Sequence, residues 1–264
     1  MKKIAVACMY TENIKDMGKI AEENRKIYCR KHNYIWRCLY KTLDPSRHPV
    51  WSKILWLIQL IQEKKYDWIQ WTDADSIVAN MSIKIEHLIM LAPFSNVIVS
   101  KDWWTGLNAG QFLIRSCEWS ERFLNRVYYG HPSCLTHLFN EQEAMRLEIC
   151  RVESMSEKRY IAWIDKSKIN SYIHPGFGHQ YIPGDFIIHF AGLNPTRRLR
   201  YMKIFQEETY QRRYHYMNIG LQTLAFFIAL VILYFAPSAP VKLISVFPII
   251  IIIYLILLIV IYII

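Results

Sequence analysis

The sequence lacks the features that would staple a fold from outside. Its six cysteines (Cys8, Cys29, Cys38, Cys117, Cys134, Cys150) are scattered through 264 residues, with no Cys-x-x-Cys pair and no zinc-like spacing. Reduced thiols are therefore expected, and a disulfide framework is not. The opening run Met1–Cys8 is too short for the apolar region of a signal peptide and reads as a first strand, so no export signal is expected ahead of the domain. Repeats and low-complexity segments are absent outside the C-terminal tail. A nucleic-acid-binding arm is missing too, although the formal net charge is +10. The densest basic cluster (Arg197, Arg198, Arg200, Lys203, Arg212, Arg213) lies just before an apolar tail. That placement suits a membrane-proximal segment facing anionic headgroups, and nucleic acid is not an expected partner.

The chain is rich, by contrast, in apolar length at its C-terminal end. Met217 to Ala236 carries no charge, and a second apolar span runs from about Val241 to Ile264. Each could cross about 30 Å of hydrocarbon as a helix, with Pro237-Ser238-Ala239-Pro240 as the turn. The expected organisation is a globular domain over 1–196, a basic juxtamembrane helix over 197–216 and two transmembrane helices over 217–264. The basic excess before the first span places the globular domain on the cytoplasmic side. The sequon Asn80-Met81-Ser82 would then go unused.

Within the globular part, strands and helices alternate. Lys3–Cys8 reads as a buried strand, and Asn13–Lys31 as a helix with Ile14, Met17, Ile20 and Ile27 at helical spacing. Tyr34–Tyr40 is a second strand, and Trp51–Lys64 a helix. Strands follow near 68–75, 97–101, 110–115, 161–164 and 186–190, interleaved with helices over 82–91, 118–129, 141–150 and 198–214. This alternation predicts an α/β domain on a mainly parallel sheet, with the short strands at 161–164 and 186–190 completing it.

The chemistry centres on Trp68-Ile69-Gln70-Trp71-Thr72, which runs into Asp73-Ala74-Asp75. An apolar strand ending in two aspartates delivers both carboxylates to the sheet edge where α/β proteins bind ligands. Two hard oxygen ligands suit Mg²⁺ or Mn²⁺, ions that stay partly open to substrate phosphates. A solvated turn or a helix cap is the alternative for the bare motif.

The surroundings of the motif resemble glycosyltransferase family 34, and lean toward its fungal branch. Ordered blocks over residues 45–195 carry the resemblance. They are His48-Pro49-Val50-Trp51-Ser52-Lys53, Asp73–Asn80, Asp102–Arg115 continuing to Trp119-Ser120, Asn140-Glu141-Gln142, Ile169–Tyr172 and Gly184–Gly192. The resemblance implies a GT-A-type (Rossmann-like) nucleotide-sugar-binding domain and a retaining hexosyl- or pentosyltransferase. It also implies a divalent cofactor, usually Mn²⁺ and otherwise Mg²⁺.

The same resemblance distributes roles. Asp73, Asp75 and His189 would hold the metal; a buried, hydrogen-bonded core histidine is the alternative for His189. Glu141 would bind sugar hydroxyls and Gln142 would sit beside the anomeric carbon, making these the two expected catalytic residues. Donor contacts are expected from Tyr10, Thr11, Lys53, Asp73, Ala74, Asp75, Asp102, Asn108, Ala109, Gly110, Gly192 and Arg197. Trp103 and Trp104 would offer stacking faces to an acceptor. Plant members place a lysine where this chain has Asn194, so charge compensation for a diphosphate would move to Arg197 or Arg198, or rest on the metal.

The expected activity is transfer from a nucleotide sugar, a UDP-sugar first, to a hydroxyl of a glycan, glycoprotein or glycolipid. A GDP-mannose-dependent mannosyltransferase is the alternative within the class. Outside it stand a non-catalytic glycan- or nucleotide-binding membrane protein and a metal-dependent phosphohydrolase. The membrane and a second copy of the chain complete the expected partners. The family is usually anchored by an N-terminal span and faces the Golgi lumen; the C-terminal apolar spans here point instead to the cytoplasmic membrane face.

Overall fold

The computed structural model describes residues 2–102, 106–173 and 179–209. The expected transmembrane hairpin, and Trp103 and Trp104, lie outside the described residues. Among those described, no helix is long and apolar enough to cross a membrane. The elements run β1 (Ile4–Met9), α1 (Lys15–His32), β2 (Ile35–Leu39), α2 (Ser52–Gln62), β3 (Trp68–Thr72), β4 (Ser76–Val78) and α3 (Ile85–Leu91). They continue with β5 (Val97–Ser100), β6 (Asn108–Arg115), α4 (Glu118–Tyr129), α5 (Asn140–Glu153), β7 (Ile161–Ile164), β8 (Ser171–Tyr172) and β9 (Ile187–His189). Residues 195–209 form a further helix, α6.

The main sheet has the order β2-β1-β3-β6-β5-β7. Strand β1 pairs in parallel with β2 and β3, and β5 in parallel with β7, but β6 runs antiparallel to both β3 and β5. Five of the six strands therefore run one way and β6 alone runs against them, so the sheet is mainly parallel, as expected. The correction concerns β9, which does not complete the main sheet. It joins a separate three-stranded sheet, β4-β9-β8, because the chain leaves the main sheet after Thr72 and pairs β4 with β9 instead.

Side chains alternate across the central strands as the two-residue period requires. Ala5, Ala7, Ile69 and Trp71 face one apolar cluster, which holds α2, α4 and α5 residues, while Ile4, Val6 and Trp68 face another, which includes α1 and α3 residues. Helix α1 ends at Asn33 in the left-handed region (φ 58°), its N–H donating to the Cys29 carbonyl. Asparagine tolerates that conformation, and Arg30, Lys31 and His32 complement the helix dipole there. The buried face of α1 carries Met17, Ala21, Asn24, Arg25 and Tyr28, whereas Ile14 is exposed.

Helix α6 starts behind a side-chain cap, with Asn194 Oδ1 accepting the Arg197 N–H at 2.9 Å. Its Met202 is buried, and Phe205 packs against Phe190 and Tyr181. The basic stretch expected as a juxtamembrane helix therefore begins within the compact unit formed by residues 1–206. All six cysteines are free thiols, as expected.

Candidate metal and donor site

The reversal of β6 builds the site. Strands β1 and β3 end at one edge of the sheet, and because β6 is antiparallel its first residues, Asn108-Ala109-Gly110, lie at that same edge. The Asp73 N–H donates to the Gly110 carbonyl at 2.8 Å, extending the β3–β6 ladder one step beyond the Thr72–Gln111 pair. The chain then turns through Ala74 and Asp75 into β4, where Ser76 pairs with His189 of β9. The Phe190 N–H donates to the Asp75 carbonyl at 2.9 Å. Two sheets meeting at one turn thus bring together residues more than a hundred positions apart.

Asp73, Asp75 and His189 each offer one ligand atom, and those atoms lie within 4.8 Å of one another. His189 is 3% exposed, and its Nδ1 lies 2.9 Å from Asn170 Oδ1. The Asn170 amide in turn donates from Nδ2 to Asn108 Oδ1 at 2.9 Å, which leaves its oxygen to accept from the imidazole. Nδ1 therefore carries a proton, and the ring is turned so that Nε2 faces Asp75, 3.1 Å from Oδ1. A histidine oriented through its far nitrogen is the usual arrangement behind a metal ligand.

Gly110 fits the same reading. A Cβ there would lie 2.3 Å from His189 Cε1 and 2.9 Å from Asp73 Oδ2. The cradle between strand and imidazole exists only because that position has no side chain. Two carboxylates and one imidazole are consistent with a divalent cation that favours oxygen ligands and accepts a nitrogen one.

Three cations surround the carboxylate pair. Arg25, fully buried on α1, donates from Nε to Thr72 Oγ1 at 3.0 Å and from Nη1 to the Ser76 carbonyl at 2.7 Å. It therefore pins both ends of the aspartate turn. Burial pushes its pKa down, against the opposing pull of nearby anionic groups that include Asp75 and Asp73.

Lys53, on α2, is also buried. Its Nζ donates to the Ala109 carbonyl at 3.0 Å and lies 2.9 Å from Glu141 Oε1 and 3.3 Å from Asp73 Oδ1. Burial alone would lower its pKa, but Asp73 and Glu141 hold it above the ordinary lysine range. Arg198, the third cation, reaches Asp75 Oδ2 from α6 at 3.1 Å. Burial would raise the Asp75 pKa; His189 and Arg198 overcome it and hold that carboxyl below the usual carboxylate range.

The other expected site residues fall around this cluster. Ala74 packs with Cys8 and Tyr10, which places Tyr10 beside the aspartate turn. The Tyr10 hydroxyl donates to Glu22 Oε2 at 2.6 Å, and its ring covers Gly18. Thr11 is partly exposed at the turn after β1. Gln142 Oε1 accepts the Ala109 N–H at 3.0 Å, which ties the first turn of α5 to the β6 edge. Glu141 is 6% exposed and engaged by Lys53. Asp102 accepts from the Tyr172 hydroxyl at 2.6 Å.

Gly192 adopts a φ of 74° in the turn before α6, a region that favours glycine. Arg197 is exposed, whereas its neighbour Arg198 contacts Asp75. Sequence reasoning assigned no role to Arg25 or Asn170. For Arg25 a signal existed: it sits between Ala21 and Tyr28 at helical spacing, on the buried face.

Fold and site together define a class: a GT-A-like glycosyltransferase domain carrying an Asp-Asp-His set at its sheet edge. A glycosyltransferase involved in glycosylation of the major capsid of PBCV-1 superposes with a TM-score of 0.61 at 18% identity, over 76% of this chain and 99% of that one. The galactosyltransferase LgtC, solved with donor and acceptor sugar analogs, superposes with a TM-score of 0.50 at 9% identity, over 77% and 95%. At those identities the likeness concerns the fold.

Sequence supplies the family. The model of the galactosyl transferase GMA12/MNN10 family matches residues 6–94 and 91–200. The chain belongs to this family, glycosyltransferase family 34. Galactomannan galactosyltransferase 1 of Cyamopsis tetragonoloba is 30% identical over 110 residues, 39% of this chain and 25% of that protein. Xyloglucan 6-xylosyltransferase 4 of Arabidopsis thaliana is 23% identical over 215 residues, 66% of this chain and 41% of that protein. The matches thus span a quarter to two fifths of the length of these two relatives.

Proposed function

We propose that this chain transfers a hexose or pentose from a nucleotide sugar, a UDP-sugar first, to a hydroxyl of a glycan, glycoprotein or glycolipid. Asp73, Asp75 and His189 would hold the divalent ion, Mn²⁺ or Mg²⁺. The observation that carries the reading is the convergence of those three ligand atoms, with Nε2 of His189 aimed by Asn170 and the Gly110 cradle beside them. A bound ion would supply charge neutralisation for a departing diphosphate.

The chain's own residues divide the remaining work. Arg198 is placed at the rim of the carboxylate pair, where it would serve the diphosphate in place of the family's lysine at the Asn194 position. Gln142 and the Ala109–Gly110 backbone would line the sugar. Glu141 is a poor nucleophile in this setting, because the Lys53 ammonium occupies one of its oxygens at 2.9 Å.

That supports a retaining front-face route. The acceptor oxygen bonds to the anomeric carbon, the bond from that carbon to the phosphate oxygen breaks, and the acceptor proton passes to that leaving oxygen. Trapping of a covalent sugar on Glu141 would overturn the route. The apolar spans over 217–264 would anchor the chain with its globular domain on the cytoplasmic face. Protection of residues 1–206 from protease in intact vesicles would overturn that orientation.

The deciding assay is donor hydrolysis by the full chain in detergent with Mn²⁺ and a panel of UDP- and GDP-sugars. Nucleotide release from one donor, lost in Asp75→Ala, is expected. Tight nucleotide binding with no release from any donor would favour a non-catalytic binding protein.

A further inference from the structure

The edge of the main sheet opposite the aspartate turn is basic. Strands β1, β3, β5 and β7 run the same way, so all begin at that edge, and β6 ends there. Lys2 and Lys3 precede β1, Lys64 and Lys65 precede β3, Lys158 and Arg159 precede β7, and Arg115 ends β6. The acidic side chains that flank these positions are engaged within the domain. Asp67 accepts the Lys3 N–H at 2.7 Å, Glu63 is held by Arg37 at 2.7 Å and Glu118 by Arg122 at 2.5 Å. Glu157 accepts from the Trp119 indole at 3.1 Å, and Glu86 from the Tyr34 hydroxyl. The edge keeps a cationic excess.

An apolar tip stands beside these cations. Helix α3 buries Ile85, Leu88 and Ile89 against the sheet, yet it ends in Met90 and Leu91, both exposed, and Phe94 follows at 80% exposure. Three large apolar side chains so close in sequence form a patch, unlike the singly scattered ones that every surface carries. Arg115 fixes the tip, with Nη2 donating to the Pro93 carbonyl at 2.8 Å and Nε to the Ser95 carbonyl at 3.2 Å. The Asn96 N–H donates to the Tyr160 carbonyl at 2.7 Å, which brings the segment carrying Lys158 and Arg159 alongside.

Apolar side chains flanked by lysine and arginine match the interfacial zone of an anionic bilayer. The apolar groups enter the headgroup boundary there, and the cations meet lipid phosphates. The course of the chain points to lipid rather than to a protein partner. Helix α6 runs alongside α1 toward this edge, from Arg198 at the aspartate turn to Gln206, which donates to Glu23 at 3.0 Å. After ten further residues, 207–216, the sequence enters its uncharged run at Met217.

We infer that this edge docks on the anionic membrane surface, with Met90, Leu91 and Phe94 entering the headgroup layer and Arg115, Lys158 and Arg159 facing lipid phosphates. The inference rests on the membrane anchor proposed above. It holds the aspartate turn a strand length from the lipid, about 17 Å for a strand like β3, so acceptors reach the site from the water.

The test uses the full chain, one copy per lipid nanodisc, in phosphatidylcholine with or without phosphatidylserine. Hydrogen exchange and labelling by a photoactivatable phospholipid are read by mass spectrometry. Phosphatidylserine is expected to slow amide exchange over residues 86–95 by about tenfold, the scale of one or two cations at a charged surface. Lipid labels should fall on residues 86–95 and 158–159. The variant Met90→Ser/Leu91→Ser/Phe94→Ser should lose the slowing yet unfold at the same urea concentration as the parent in detergent, since all three side chains are exposed. Exchange that is equal in the two lipids overturns the docking, as does slowing that survives the triple substitution. Labels on residues 129–139 in place of 86–95 would mean that the domain lies on the face where Tyr129 and Leu138 are exposed, which also overturns it. Protection of 86–95 that appears only on concentrating the chain in detergent marks a second copy as the occupant instead. A chain that does not enter nanodiscs sinks the anchor and the docking with it, and leaves the donor-site reading to its own assay.

Discussion

Replacing Lys53 by methionine removes a cation that three groups share in the interior, and the cost can be worked out. Its Nζ meets Glu141 at 2.9 Å, the Ala109 carbonyl at 3.0 Å and Asp73 at 3.3 Å, while the lysine itself is 4% exposed. Asp73 keeps a hydrogen bond from the Trp71 indole at 2.7 Å, and its side chain, at 30% exposure, retains access to water. Glu141 is the group left stranded. Neutralising a glutamate of ordinary pKa ~4.3 at pH 7 costs about 3.7 kcal/mol, which caps the penalty of leaving it buried without its cation.

The lost bond to the Ala109 carbonyl adds about 1 kcal/mol. Lys53→Met is therefore expected to lose about 3–5 kcal/mol of stability, as broken buried ion pairs do. At pH 5 that cap falls to about 1 kcal/mol, so the deficit should shrink by at most about 2.7 kcal/mol. A Lys53→Met/Glu141→Leu double variant should recover most of the loss, because an apolar pair of similar volume replaces the ion pair. Urea unfolding of the full chain in detergent at pH 7 and pH 5, read by tryptophan fluorescence, measures all three. A deficit below about 1 kcal/mol, or one that is the same at both pH values, would refute the reasoning.

Gly110→Ala forces a methyl to within 2.3 Å of His189. Mn²⁺ affinity, measured by electron paramagnetic resonance, should fall about 10–100-fold, the scale for disturbing a ligand's support. Arg198→Ala should change two affinities in opposite directions. Mn²⁺ alone should bind more tightly once the guanidinium no longer competes for Asp75, while UDP with Mn²⁺ should bind about tenfold more weakly through loss of a charge-assisted contact; movement of both in one direction argues against a phosphate role. Lys166 supplies a pH signature. Burial lowers its pKa from 10.5 to about 8, against the pull of Asp102. The unfolded lysine holds a proton that the folded one releases between those values, so the destabilisation is complete below pH 8 and gone above 10.5. Stability of the parent relative to Lys166→Met should rise with pH across that window, and a flat difference would place Lys166 in a more solvated setting.

The parts of the fold that were legible in the sequence are those whose signal is local. The strand before Asp73 was visible as an apolar run ending in charge. Helix α1 was visible as a periodic segment, although its buried face is not the one its isoleucines suggested. It turns Arg25 inward because Thr72, Ser76 and the Ala21 carbonyl satisfy the guanidinium there. Strand direction was not legible. Asn108–Arg115 has the same alternation whichever way it runs, and only pairing with β3 and β5 fixes it as antiparallel. The same holds for β9, whose apolar composition fits either sheet. His189 was found through its place in an ordered family block, and its orientation by Asn170 depends on a contact that no local pattern encodes.

The three cations around the aspartate turn differ in how free they are to respond, and burial makes the difference. Arg25 and Lys53 are enclosed by the groups they bond, so moving either would strand a buried carboxylate or break the turn. They are fixed parts of the frame. The Arg198 side chain is a quarter exposed and stands on α6, outside both sheets. It holds one oxygen of Asp75 while His189 faces the other. A cation entering the Asp-Asp-His set must compete with that guanidinium, and an incoming diphosphate would compensate it for the lost carboxylate. Metal and nucleotide are therefore expected to bind with positive cooperativity in the parent, each favouring the displaced position of Arg198. In Arg198→Ala the part of the coupling carried by the guanidinium should be lost, so the Mn²⁺ affinity ratio with and without UDP should fall toward what direct metal–phosphate contact alone supplies. Coupling that persists unchanged in the variant would place its origin in direct metal–phosphate contact instead.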